Sequence, residues 1–119
     1  MAGDSRLELT SLTWAHHVGI FLAIVTAAIH LWLGLQDLMG AFGISFLIAT
    51  AGFLLGIAAV LFGYHRERVY LLGIPFVGGQ IGLWFAFNQP IPPISMIEIV
   101  DKVTQILLIA VLIYLYRHS

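Results

Sequence analysis

Cysteine is absent from this 119-residue chain, and charge is nearly so. The first absence excludes disulfides, thiolate metal sites, thioredoxin-type exchange and thioether haem attachment. It also removes every lipidation that needs a thiol, and Gly3 is not placed for myristoylation. Charged residues make up only 9% of the chain, where a soluble domain carries about 25%. The net charge of -1 offers no basic surface for nucleic acid. No glycine-rich phosphate loop, no HExxH pattern and no nucleophile beside an obvious base is present, so the sequence reads as a non-enzyme.

Apolar residues fill the space that charge leaves, at 61% of the chain. A small soluble domain exposes too large a share of its surface to hide so much. Lipid is therefore the expected solvent. A membrane-crossing helix needs ~20 mostly apolar residues. Four such runs, at 14–35, 41–63, 69–87 and 96–116, take up the chain as one domain, 1–119. The expected fold is all-α: an integral membrane four-helix bundle running up-down-up-down, because short connections make neighbours antiparallel.

The amino-terminal stretch MAGDSRLELTSLTW mixes acidic and basic residues and precedes a run too long for a signal-peptide core, so it is expected to be retained. Ser5 and Glu8 match a capping box there, as do Ser95 and Glu98 before the fourth span. Gln36 to Gly40 reads as a tight turn, Tyr64 to Arg68 as a charged connection, and Asn88 to Pro93 as a proline-stiffened loop. Pro75 should bend or loosen the third span near Gly73. Arg6, Arg66, Arg68 and Arg117 fall on one side and Lys102 on the other, which predicts both termini cytoplasmic in a multi-pass cell-membrane protein. Trp14, Tyr64, Tyr70, Tyr114 and Tyr116 mark the inner interface, and Trp32 and Trp84 lie toward the outer one.

Lipid provides no hydrophobic drive between helices, so small residues should make the contacts. Gly52 and Gly56 on the second span and Gly78 and Gly82 on the third are the candidate packing pairs, within the chain or at a dimer face. Ala23 and Ala27 serve the first span.

His30 is the main chemical candidate. It lies ~8 Å below the outer end of the first span, with Thr26 on the same face. A buried ionisable group in a membrane is a functional hypothesis by default. Its expected partner is Gln80, then Gln105, which would make His30, Thr26, Gln80 and Gln105 a polar seam. Haem with two histidine ligands needs both at one depth, and His16 and His17 lie ~20 Å lower on the same helix. His16, His17, His65 and His118 share the inner side, where they form a weak metal candidate and a ready set of interfacial anchors. No bound cofactor or metal is expected. Asp37, Glu98 and Asp101 read as acids in the headgroup zone, with Glu98 and Asp101 favoured near a helix start and Glu98 spaced to pair with Lys102. Ser45, Thr50 and Thr104 are expected to bond back to their own helices.

His17-Val18-Gly19, the AAIHLWLG segment from Ala27 to Gly34 and four arginines to one lysine carry a resemblance to small four-span integral membrane proteins of haloarchaea. The resemblance implies an archaeal membrane and the same four-span fold, and no activity comes with it.

The leading expectation is a structural or accessory subunit that works through helix-helix packing. Its partners would be the lipid bilayer and either another membrane protein or further copies of itself. An ion, proton or small-solute transport component with a polar path at His30, Gln80 and Gln105 is the first alternative. A haem- or copper-binding electron-transfer component using His30 is the second.

Overall fold

The computed structural model describes residues 9–36, 38–88 and 96–118. The expectations placed on Ser5, Arg6, Glu8, Asp37, Ser95 and the Pro90–Pro93 loop lie outside them. A single 3-10 turn, Leu9–Ser11, leads into four helices: α1 Trp14–Leu35, α2 Ala41–Leu61, α3 Arg66–Asn88 and α4 Met96–Arg117. Each is ~33 Å long at 1.5 Å per residue, matching a ~30 Å hydrocarbon core. Three of them, α1, α2 and α3, are long and apolar enough to cross a membrane. The fourth carries Glu98, Asp101 and Lys102 in its first two turns.

α1 starts at Thr13, whose backbone N–H donates to His16 Nδ1 at 3.1 Å. The Thr13 hydroxyl lies 2.9 Å from the same nitrogen, so a histidine takes the place that glutamate holds in a capping box. α2 ends earlier than its apolar run suggests. Gly63, at φ 66°, closes a Schellman motif in which Tyr64 N–H reaches the Ala59 carbonyl and Gly63 N–H reaches that of Val60. α3 then begins at Arg66, three residues before the expected start, because the His65 carbonyl already accepts from Val69 N–H. It continues as a helix through Pro75, whose missing N–H leaves the Leu71 carbonyl without its usual donor.

The packing follows from side-chain size. The buried stripe of α1 is Ala15, Gly19, Ala23, Thr26, Ala27, His30 and Gly34, at spacings of three and four. Apart from His30 these are small, so α1 accepts close neighbours on both sides. α2 lies against it at Gly34, where an added Cβ would stand 2.8 Å from Leu47 and 3.0 Å from the Gly43 carbonyl oxygen. α4 lies against it at Gly19, facing Val111. α4 also packs on α3, with Leu112 against Gly73. The order around the bundle is α2, α1, α4, α3, and the α2–α3 seam is the sparsest. The lower end holds the start of α1, the α2–α3 turn and the end of α4. The upper end holds the α1–α2 turn, the end of α3 and the start of α4.

The expected glycine pairs part company here. Gly52 receives the Phe76 ring, which an added Cβ would meet at 2.6 Å. Gly56 has only Val69 near, at 3.9 Å. A Cβ added at Gly78 comes no nearer than 4.0 Å to Ile109, and one added at Gly82 meets nothing within 4 Å among the described residues. Gly19, Gly34 and Gly73 carry the close contacts instead. Tyr70, read as an interfacial anchor, is only 2% exposed.

Candidate functional site: a charged seam in the upper half

α4 presents Asp101, Thr104, Gln105, Leu108, Leu112 and Leu115 to the bundle. Its upper turns are therefore polar and its lower turns apolar. Asp101 stands five residues into α4 and His30 five residues from the end of α1, so both lie ~8 Å inside the upper end. Antiparallel packing brings them face to face.

Thr26 Oγ1 donates to Asp101 Oδ1 at 2.6 Å. His30 Nδ1 lies 2.8 Å from the Thr26 carbonyl oxygen and 3.7 Å from Asp101 Oδ1. A carbonyl can only accept, so Nδ1 carries the proton and gives it to Thr26. At 3.7 Å the imidazole and the carboxylate interact through space, with the threonine between them. Lys102 Nζ donates to Asp101 Oδ2 at 3.1 Å and to Gln105 Oε1 at 3.0 Å. Gln105 Nε2 donates to Gln80 Oε1 at 2.9 Å, and Gln80 Nε2 donates to the Phe76 carbonyl at 3.2 Å. The hydrogen bonds thus run from α1 through α4 to α3.

Both Asp101 oxygens receive donors and nothing accepts from them, as suits an ionised carboxylate. Asp101 is 4% exposed and His30 3%. The Lys102 side chain, 14% exposed, also lies over the Trp84 ring at 5.6 Å, and Trp84 Nε1 donates to Glu98 Oε1 at 3.0 Å. Among the described residues, no buried side-chain nitrogen or oxygen lacks a partner.

All four seam residues read from the sequence are brought into this network, though not in the expected pairs. Gln80 and Gln105 bond to each other rather than to His30. Asp101, assigned to the headgroup zone, is the centre that His30, Thr26 and Lys102 surround. Burial of a carboxylate demands an adjacent cation and donors, and Lys102 and Thr26 supply them. Two signals in the sequence point to it: a depth equal to that of His30, and a helical spacing of four from Gln105.

Below the seam the interior turns apolar. The His30 ring meets Phe46 edge-on at 5.5 Å and Phe53 at 5.6 Å, and Phe53 meets Phe76 at 5.2 Å. Beneath these rings lies a cavity of about 300 Å³ that opens to the surface between α2 and α3. Thr50 and Thr104 bond back to the Phe46 and Val100 carbonyls, as expected.

The lower histidines are dispersed. His16 Nε2 lies 2.8 Å from the Tyr70 hydroxyl, His17 is exposed, His65 stands against Tyr64, and His118 stacks on Tyr114. No group of three or more His, Cys, Asp or Glu side chains among the described residues is placed to hold a metal ion.

No curated protein and no solved structure matches the chain. The model of a family of unknown function, DUF7475, matches residues 3–116, and the chain belongs to that family.

Proposed function

We propose that the protein is a multi-pass membrane subunit that acts by packing against another membrane helix, with all four helices crossing the bilayer and both termini inside. The observation that carries this reading is the outer face of α3. Pro75, Gly79, Gly82 and Ala86 recur there at spacings of four and three, and all are exposed. Among the described residues, an added Cβ at Gly79 or Gly82 would meet nothing within 4 Å. A face of small residues lets two helix backbones approach, and dispersion then holds them without any hydrophobic drive. The geometry of the seam fits a structural role for His30. It runs across the bundle within about one helical turn of depth, its lysine pairs with its aspartate, and apolar residues lie below it. A transport path would have to run along the helices.

Gly79→Leu and Gly82→Leu test the reading. Both variants should fold as the parent does, since the space is open and leucine favours a helix over glycine. Both should lose the partner chain or further copies that co-purify with the parent in mild detergent from the native host. A monodisperse parent with no partner, or variants that keep it, overturns the proposal. A Soret band in the purified parent would point to the haem alternative instead.

A further inference from the structure

The cavity beneath Phe53 is a slot with a polar lower end. Its walls are Gly52 and Gly56 of α2, Val69 and Gly73 of α3, and Gly19 and Leu112 behind them. It extends from His16 to Ala23 along α1, a rise of ~10 Å. A volume of about 300 Å³ spread over that length leaves a cross-section of ~30 Å². One extended hydrocarbon chain, touching its walls at ~4 Å, fits such a section. Water is a poor occupant, because apolar cavities of this kind stay dry. On the membrane-spanning reading proposed above, the open side faces the bilayer.

The lower end specifies the rest of the ligand. Thr13 N–H donates to His16 Nδ1, so the ring proton sits on Nε2, which donates to the Tyr70 hydroxyl oxygen at 2.8 Å. The Tyr70 hydroxyl keeps its own proton for another acceptor, and among the described residues no hydrogen bond takes it. Tyr70 lines the slot and is 2% exposed. Arg66 adds positive charge at the same end, with Nε donating to the carbonyl of Val60, a slot residue, at 2.8 Å and Nη1 donating to the Ser11 hydroxyl at 2.6 Å. His65, Glu67 and Arg68 stand beside it on the turn and first turn of α3, so two arginines outweigh one acid there. Arg66 and Arg68 open α3 and Tyr70 follows one turn in, so these polar groups all stand at one end of the helices.

We infer that the α2–α3 slot holds one chain of an anionic phospholipid, with a headgroup oxygen accepting from Tyr70 and the phosphate facing Arg66 and Arg68. This goes beyond the packing reading and uses a different face of the molecule.

The full chain is reconstituted in phosphatidylcholine vesicles containing phosphatidylglycerol with a photoreactive group in one acyl chain. After illumination, labelled peptides are located by mass spectrometry. Label should concentrate on the slot-facing parts of α2 and α3, around Gly56 and Val69. Gly56→Leu fills the slot from a position where the nearest atom is 3.9 Å from the new Cβ, and should abolish that concentration. Val69→Phe fills it from the opposite wall and decides the matter if the first variant does not remain monodisperse. Tyr70→Phe should weaken the slot label, and Gly79→Leu, outside the slot, should leave it unchanged. Label spread evenly over the lipid-facing surface, slot label retained in both filled variants, or crosslinking of the slot to a second copy or another protein overturns the inference. Loss of partner binding in Gly79→Leu with slot label intact separates this test from that of the packing reading.

Discussion

Lys102→Met is expected to destabilise the folded bundle by about 3 kcal/mol, at the low end for breaking a buried ion pair. The lysine is the only cation that touches Asp101 directly among the described residues; the nearest other group that can carry positive charge, His30, stands 3.7 Å away and gives its Nδ1 proton to Thr26. Without the ammonium, Asp101 keeps the Thr26 hydroxyl but has an oxygen with no donor in a nearly water-free site. Gln105 loses a donor to its carbonyl oxygen as well. The double variant Asp101→Asn with Lys102→Met should recover most of the loss, since it removes both charges and leaves Thr26 an acceptor. Detergent-titrated unfolding in mixed micelles, followed by tryptophan fluorescence, measures both. A single variant within about 0.5 kcal/mol of the parent, the range of an ordinary surface change, would mean that the ammonium contributes nothing to the seam.

The second large effect is expected at Gly34→Val, with a loss of about 2 kcal/mol, within the range for overpacking a close contact. Leu47 can rotate away from a new Cβ, but the Gly43 carbonyl oxygen, 3.0 Å from it, belongs to the α2 backbone. α2 would have to move off α1 at the upper end, carrying Phe46 away from the His30 ring. The same unfolding assay reads the loss. Gly82→Leu, a larger side chain on an open face, is the internal control and should cost nothing in the isolated chain. If Gly34→Val matches that control, the tight α1–α2 approach is not what holds these helices together.

The helices were legible because long apolar runs separated by polar or proline-bearing stretches locate four elements, and three starts agree with the structure. α3 differs because hydropathy marks where charge stops, whereas a helix begins where its backbone bonds begin, and Arg66 to Arg68 are charged and helical together. The polar residues of the seam were legible one by one, since His30, Thr26, Gln80 and Gln105 stand out against an apolar background. Their pairing was not, because hydrogen bonding depends on which face each helix turns to its neighbour. Asp101 shows this most clearly. A carboxylate near a helix start suits the helix dipole and needs no burial, and only the packing of α4 between α1 and α3 puts it inside. The glycines repeat the lesson. GxxxG spacing identifies smooth strips on α2 and α3 but not what lies over them, and the tightest approaches fall at Gly34, Gly52, Gly19 and Gly73, of which only Gly52 belongs to such a pair.

Phe53 and Phe76 have a further consequence as a partition. They separate a hydrogen-bonded, charge-bearing upper layer from a lower layer with no charged side chain among the residues that line its cavity. Substitutions above the rings therefore act on hydrogen bonds and charge, as at Asp101 and Lys102, whereas those at the apolar residues below act on packing alone.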